Sequence, residues 1–207
     1  MTADLSLTNL ALVFVVIIFS MGIHEAMHGF VAHWLGDSTA HDAGRLTLNP
    51  LKHIDALTTV LLPLFLIIVG APPIFAAKPV PFNPSRVKYA EFGAALIGLA
   101  GPFTNLLLAV LGAAAAHLTL GSAAWLTNFL VLFVQVNVGF FVFNMLPIPP
   151  LDGSRLIYAL VPESVQEVMA RFEQMGIVAV IIILVVLMPF IGPVITNMNQ
   201  AILNSLL

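Results

Sequence analysis

The chain contains no cysteine, and this absence limits what can hold the fold together or bind a metal. Without thiols there are no disulfide bonds, and a zinc ion would have to be bound by side chains other than thiolates. Six histidines and ten acidic residues are present, so nitrogen and oxygen ligands are available. Any metal site in this protein is therefore expected to be built from histidine and carboxylate.

Charged residues are also scarce, at 8% of the 207 residues, whereas 60% of the residues are hydrophobic. Because a soluble domain carries about 25% charged residues, this composition predicts an integral membrane protein in contact with the lipid bilayer. The formal net charge of -3 argues against nucleic acid as a partner. The length suits one domain over 1–207, with a core over 7–157 and C-terminal helices over 158–207.

Three long apolar runs predict membrane-spanning helices. They cover 7–35, 92–118 and 123–145, and each is long enough to cross a hydrocarbon core of about 30 Å as an α-helix. Two further apolar runs near the end of the chain, 175–188 and 194–206, are expected to form helices that pack on the bundle or gate it. A helical bundle is therefore the expected core of the fold.

Two segments between the first and second spans are expected to depart from this simple pattern. Residues 36–55 are polar and show strand-like alternation over 45–48, which predicts a short β-hairpin at the membrane surface. Residues 56–70 are apolar but short and contain Pro63, which favours a re-entrant segment. The predicted fold is an all-α polytopic membrane protein, a helical bundle with a short membrane-associated β-hairpin and a re-entrant segment.

The clearest chemical signal lies near the end of the first span, where residues 24–28 read His-Glu-Ala-Met-His. Residues i and i+4 of a helix share a face, so His24 and His28 can direct their imidazoles at one metal ion. Glu25 can then reach a water on that metal as its general base. Two histidines satisfied by neighbouring backbone are the alternative, but ionisable groups inside a membrane span are costly and indicate function.

Two histidines leave a tetrahedral zinc site incomplete, so a third ligand must come from elsewhere in the chain. Asp152 is the best candidate, because it follows a span directly after a proline-rich break over 147–150. Such irregular backbone is tolerated at membrane depth only beside protein or a wet cavity. A helix N-cap is the alternative role for Asp152. Asn105, a buried amide in the span 92–118, fits either an interhelical hydrogen bond or a place in the site.

The requirement that Asp152 meets the two histidines predicts on which side of the membrane each loop lies. The spans 7–35 and 123–145 must then run parallel, and 56–70 must leave and return on the same side. All Lys and Arg residues fall on one face in this arrangement, as expected of the cytoplasmic side. These residues are Arg45, Lys52, Lys78, Arg86, Lys88, Arg155 and Arg171. The candidate site is therefore expected toward the cytoplasmic leaflet.

Two motifs together closely resemble those of a known family. One is HExxH within a membrane span, and the other is the run Asn-x-x-Pro-x-Pro-x-Leu-Asp-Gly over 144–153. This pair resembles the site-2 protease family of intramembrane zinc metalloproteases, peptidase family M50. The segments 44–55, 78–84 and 100–105 are also similar to that family, so the resemblance extends from about residue 19 to 157.

The resemblance implies a function and a role for each motif residue. It implies Zn²⁺ as cofactor, with His24, His28 and Asp152 as its ligands and Glu25 as the catalytic base. Asn144 and Asn105 would orient or polarise the substrate carbonyl. The implied activity is regulated intramembrane proteolysis, the hydrolysis of peptide bonds within or near transmembrane segments of membrane-protein substrates. The chain would be a compact prokaryotic member without PDZ or CBS domain, located in the cell membrane.

Two other classes of function fit parts of this sequence. A membrane metal transporter would need further ionisable groups along a path through the bundle, and the second and third spans contain only His117, near one end. A non-catalytic scaffold derived from a protease would bind metal without needing Glu25. The sequence favours the protease over both, and it indicates neither the natural substrate nor the oligomeric state.

Overall fold

The computed structural model describes residues 7–68, 75–120, 124–182 and 186–207, and regular structure over these ranges is helical. The helices in chain order are α1 (Leu7–Trp34), α2 (Thr39–Asp42), α3 (Leu62–Ile68), α4 (Ala90–Leu118), α5 (Ala124–Asn144), α6 (Ser154–Tyr158), α7 (Glu163–Gln174), α8 (Ile177–Ile182) and α9 (Met188–Leu206). By length and composition, α1, α4 and α5 are the described helices able to cross a membrane. They confirm the three predicted spans, and the protein is a multi-pass membrane protein.

Small residues and a shared apolar core hold the bundle together. Helix α4 packs against both α1 and α5. A Cβ atom added to Gly112 of α4 would lie 2.9 Å from Cδ1 of Phe133 on α5, which shows the close approach that small residues permit between membrane helices. On α5, Val134 and Val138 are fully buried, and Ile195 of α9 packs in the same cluster. Helix α9 therefore completes this side of the bundle.

The β-hairpin predicted over 36–55 is wrong. The structure has α2 and a 3₁₀ turn at Pro50–Lys52 in this segment, which is described throughout and contains no strand. Side chains, instead of a neighbouring strand, bind its backbone: His53 Nε2 donates to the carbonyl oxygen of Thr47 (2.9 Å), and Asn49 accepts from the backbone N–H of Leu51 (3.1 Å). Such local side-chain bonds compete with a strand ladder and here replace it.

Residues 56–68 form a helical segment, a π-helical turn at Ala56–Leu61 followed by α3. The backbone N–H of Ala76 donates to the carbonyl oxygen of Thr58 (3.3 Å), and the Thr59 hydroxyl donates to that of Ala76 (2.7 Å). The chain has thus returned to the start of this helix by residue 76. The predicted re-entrant segment is nevertheless not shown, because its last residues, 69 and 70, and the following 71–74 lie outside the described residues.

The C-terminal helices differ from the predicted apolar runs. Residues 177–182 of the predicted run 175–188 form the short α8, and 183–185 lie outside the described residues. The following helix begins at Met188, earlier than the predicted start at residue 194. At its far end, His117 Nε2 lies 2.9 Å from the carbonyl oxygen of Leu206. Helix α9 therefore ends beside the C-terminus of α4.

Candidate metal centre

The structure brings His24 and His28 of α1 together with Asp152. The Nε2 atoms of His24 and His28 lie 3.0 Å and 3.5 Å from Oδ2 of Asp152. Neighbouring ligands of a tetrahedral zinc ion with bonds of about 2.05 Å would be roughly 3.3 Å apart. Among the described residues, this is the group of histidine and carboxylate side chains able to hold a metal. The two distances from histidine to carboxylate therefore fit zinc, and all three ligand atoms lie within 4.8 Å of one another.

Hydrogen bonds on the far side of each imidazole decide which nitrogen faces the centre. Nδ1 of His24 lies 2.5 Å from Oδ1 of Asn105, and Nδ1 of His28 lies 2.7 Å from the carbonyl oxygen of Ile97. Both partners are acceptors, so each Nδ1 carries the proton and donates it, while each Nε2 presents a lone pair. Two lone pairs that converge on a carboxylate form a donor set for a cation.

A chain of amides fixes this arrangement from inside the bundle. Nδ2 of Asn137 donates to the carbonyl oxygen of Phe133 and to Oγ of Ser20, both at 2.9 Å. Its Oδ1 accepts from Nδ2 of Asn105 at 2.9 Å, which leaves Oδ1 of Asn105 for His24. Because a backbone carbonyl can only accept, Phe133 sets the orientation of both amides and the tautomer of His24.

Asn105 therefore lies behind the candidate ligand His24, where it is completely buried. The interhelical hydrogen bond left open by the sequence is present, and both polar atoms of this side chain are occupied inside the bundle. Asn137 was not singled out from the sequence, because α5 contains three further amide side chains, Asn128, Gln135 and Asn144, whereas Asn105 is the one amide side chain of α4. These contacts position Asn105 to orient His24, away from any substrate.

Asp152 reaches α1 because α5 ends at Asn144 and the chain folds back. Pro147, Pro149 and Pro150 lack the N–H group that a continuing helix needs. The backbone N–H of Gly153 then donates to the carbonyl oxygen of Asn144 at 2.7 Å, which closes the loop 145–153 against the end of α5. The proline-rich break predicted from the sequence thus has a definite role, to return Asp152 toward the two histidines.

Space at the centre depends on a glycine of α4. A Cβ atom added to Gly101 would lie 2.5 Å from Nε2 of His24 and 2.6 Å from Nε2 of His28. Those are the two atoms that would bind the ion, so any side chain at this position would compete with it. Small residues also allow membrane helices to pack closely, so the structure gives two reasons for glycine at this position.

Glu25 and Asn144 line a cavity of about 580 Å³ next to the centre, together with His24 and Asp152. This volume is within the range of sites that enclose a ligand. Oε2 of Glu25 accepts the backbone N–H of Val80 at 3.0 Å. Nδ2 of Asn144 donates to the carbonyl oxygen of Phe140 on its own helix (3.0 Å), so its predicted role toward a substrate stays a prediction.

One edge of this site is formed by α7. Glu173, near the end of α7, lines the same cavity and forms an ion pair with Arg155. The guanidinium of Arg155 also lies 5.6 Å from the centre of the Phe82 ring. The guanidinium of Arg155 therefore interacts with Glu173 and Phe82, and the carboxylate of Asp152 remains available to the two histidines.

Comparison with known proteins gives independent findings. The family described as peptidase family M50 matches residues 116–188, which include Asn144 and Asp152 but not HExxH. The chain is 35% identical over 179 residues to YwhC of Bacillus subtilis, named as a predicted zinc metalloprotease; the match covers 83% of this chain and 78% of that protein. Two proteins named Rip2, also described as predicted zinc metalloproteases, are similar as well. The one from Mycolicibacterium smegmatis is 32% identical over 174 residues, which cover 81% of this chain and 64% of that protein. The one from Mycobacterium tuberculosis is 29% identical over 167 residues, which cover 79% of this chain and 62% of that protein. No solved structure matches the chain.

Proposed function

This chain belongs to peptidase family M50 and is a zinc metalloprotease, and from that premise we propose that it cleaves peptide bonds within or near transmembrane segments of membrane-protein substrates. The depth of the metal centre carries the proposal. His24 and His28 precede Trp34 by ten and six residues on α1, which corresponds to about 15 Å and 9 Å along the helix axis. Trp34 is 77% exposed at the end of this span, and tryptophan favours the membrane interface. This spacing supports a centre below that interface, and a centre at such a depth would favour membrane-embedded over soluble substrates.

In this proposal His24, His28 and Asp152 hold the zinc ion and Glu25 moves the proton. The bound ion supplies Lewis acidity, which polarises a carbonyl group and lowers the pKa of water toward about 7. Oε2 of Glu25 is occupied by the N–H of Val80, so Oε1 is free to accept a proton from the attacking water. As the water oxygen bonds to the carbonyl carbon and the C–N bond breaks, Oε1 returns the proton to the leaving nitrogen.

Asn144 is proposed to assist at the carbonyl oxygen of the substrate. Its side chain lines the cavity, and among the described residues its amide donates to the carbonyl oxygen of Phe140 alone, so rotation about the side chain would turn Nδ2 into the cavity. Removal of a donor to a developing oxyanion typically lowers the rate by about 10²–10³. Asn105 has no such freedom, because its amide is held between His24 and Asn137.

The substrate must present an extended backbone, because a helical peptide bond is shielded by its own hydrogen bonds. Residues 75–83 offer an edge for strand addition. The backbone of Ala76 and Lys78 bonds to Thr58 and His53, and successive residues of an extended chain face opposite sides. Ala77 and Pro79 thus turn their backbone away from these partners, and both line the cavity beside Glu25. We place the unwound substrate along this edge.

The protein is proposed to lie in a prokaryotic cell membrane with the site toward the cytoplasmic leaflet. The backbone N–H of Lys88 donates to the carbonyl oxygen of Leu35, and that of Lys78 to His53, both at 2.9 Å. These contacts tie 78–88 to the loop after α1, so both basic segments lie at the same end of α1. The excess of Lys and Arg at that end supports a cytoplasmic location.

Glu25→Gln tests the proposed chemistry. We expect the purified variant to keep zinc, because Glu25 is not a proposed ligand, and to lose cleavage of a model membrane substrate by about 10²–10⁴-fold. Metal analysis and a cleavage assay with and without a chelator measure both properties. Glu163→Gln, an exposed acid of α7, serves as the matched control and should behave as wild type. Cleavage at the wild-type rate by zinc-loaded Glu25→Gln would reject the proposed base.

A further inference from the structure

We propose that Arg45 is a positioning residue for Glu25 and acts on it through the extended segment 78–80. The inference rests on the proposed function, since it takes Glu25 as the base of the protease. Arg45 lies in the loop between α2 and α3 and touches neither the candidate metal ligands nor Glu25. Any effect of Arg45 on Glu25 must therefore pass through the backbone of residues 78–80, which contacts both side chains.

The last part of this connection is the contact between Val80 and α1. Val80 donates its N–H to Oε2 of Glu25, and its side chain is 8% exposed. A Cβ atom added to Gly29 would lie 3.1 Å from Cγ1 of Val80. Gly29 follows Glu25 by about one helical turn, so Val80 packs on α1 within one turn of the proposed base. The direction of the Val80 N–H therefore decides which oxygen of Glu25 remains free.

The first part of the connection is a buried guanidinium. Arg45 is 8% exposed, and its NH2 group donates to the carbonyl oxygen of Lys78 at 2.7 Å. Its Nε atom is buried without a hydrogen-bond partner, and no ion pair of Arg45 exists among the described residues. A buried cation without a carboxylate costs folding free energy. Stability alone thus gives no reason for arginine here, whereas control of the Lys78 carbonyl does.

His53 holds the other side of Lys78. Its carbonyl oxygen accepts the N–H of Lys78 at 2.9 Å. Its ring is 1% exposed, and because Nε2 donates to the carbonyl oxygen of Thr47, Nδ1 presents a lone pair to Arg45 at 3.5 Å. In this tautomer Nδ1 can accept from the guanidinium. Both peptide groups of Lys78 are thus fixed, one by His53 and the other by Arg45.

Proline transmits this restraint to Val80. The peptide group between Lys78 and Pro79 is planar, and Arg45 holds its oxygen. The ring of Pro79 then fixes φ near -65°, so a single soft dihedral, ψ of Pro79, separates the held carbonyl from the N–H of Val80. Loss of the Arg45 hydrogen bond would release that carbonyl and misalign the N–H at Glu25. The free oxygen of Glu25 would then leave its place beside the attacking water.

Kinetics of two substitutions test the inference. Arg45→Met keeps an apolar stem but cannot donate, and we expect kcat to fall by about 10–100-fold with unchanged zinc content. Because Ala77 and Pro79 of the proposed substrate edge flank Lys78, KM should rise as well, but by a smaller factor than kcat falls. Arg45→Lys can still donate to the Lys78 carbonyl and should recover most of the activity. Arg171→Ala, which removes an exposed arginine of α7, is the control for lost positive charge. Unchanged kcat in Arg45→Met, or equal losses in Arg45→Met and Arg45→Lys, would overturn the proposal.

A cross-link provides a readout that does not depend on activity or on substrate. The chain has no native cysteine, so Gly29→Cys with Val80→Cys introduces one defined pair. We expect a disulfide with Arg45 present and a several-fold lower yield when Arg45→Met is added. No cross-link with Arg45 present, or equal yields in both proteins, would contradict the connection through Val80. Failure of the proposed function is distinct: the wild-type protein would then show no cleavage, while the cross-link in the double-cysteine variant would still depend on Arg45.

Discussion

Gly101 faces the two nitrogen atoms that would bind zinc, and its replacement is the most direct test of the metal centre. A methyl group in Gly101→Ala would lie within 2.6 Å of Nε2 of both His24 and His28. Alanine favours a helix over glycine, so we expect α4 to remain folded while zinc affinity falls by about tenfold or more. Competition with a chromogenic chelator measures that affinity.

The control for this substitution is Gly139→Ala on α5. Gly139 is also inside a membrane helix, and a Cβ atom there would meet no atom within 4 Å. The Gly139→Ala variant should bind zinc as tightly as the wild type. Equal zinc affinity in Gly101→Ala and the wild type would show that the ion does not lie between the two histidines.

Other residues of the site differ in how far the sequence predicts them. The HExxH spacing and the position of Asp152 after a proline-rich helix end are local features, and the structure brings these residues together as expected. The contacts of Asn137 with Asn105 and of Val80 with Glu25 join residues 32 and 55 positions apart. Their partners become neighbours only in the folded bundle, so no local pattern indicated them.

Among the larger elements, the long helices were predictable and the loop after α1 was not. Apolar runs gave the bounds of α1, α4 and α5 within two residues, because the bilayer requires long apolar helices. The loop 36–55 has strand-like alternation, but its conformation depends on buried polar side chains that bind distant backbone. Asp37 is one of them: it is 0% exposed, and its Oδ2 accepts the backbone N–H of Asn83 at 2.6 Å.

Asp37 makes the docking of this loop sensitive to acid. Burial by itself raises the pKa of Asp37, but hydrogen bonds from Thr39 and from the Asn83 backbone outweigh it and lower the pKa below the usual value. The folded state thus favours the ionised form, which stabilises the protein above about pH 3.9. This contribution is lost as the pH falls through the lowered pKa of the folded state.

We therefore expect Asp37→Asn to lower the melting temperature in detergent at pH 7, since an amide nitrogen would face a buried N–H at a cost of about 1–3 kcal/mol. The difference from wild type should shrink as the pH is lowered from 5 to 3. Glu167→Gln, at an exposed position of α7, should show no such pH-dependent difference. A constant difference across this range would argue against the ionised Asp37.

For the molecule as a whole, the arrangement of the three spans places both halves of the candidate site at one end. Asp152 follows the C-terminal end of α5, and His28 is near the C-terminal end of α1, so these helices must run in the same direction. Helix α4, which lies between α1 and α5 in the chain, runs in the opposite direction. Leu120, which follows the C-terminal end of α4, therefore lies at the other end of the bundle.

Single cysteines in this cysteine-free chain test which end faces the cytoplasm. Ser85 and Glu163 are exposed at the end that carries the site, and Leu120 is 65% exposed at the other end. If the basic residues mark the cytoplasmic side, a membrane-impermeant maleimide should label Leu120→Cys in intact cells. It should label Ser85→Cys and Glu163→Cys only after the membrane is permeabilised. The reverse pattern would place the metal centre toward the outer leaflet, and labels on opposite sides for residues 85 and 163 would contradict parallel α1 and α5.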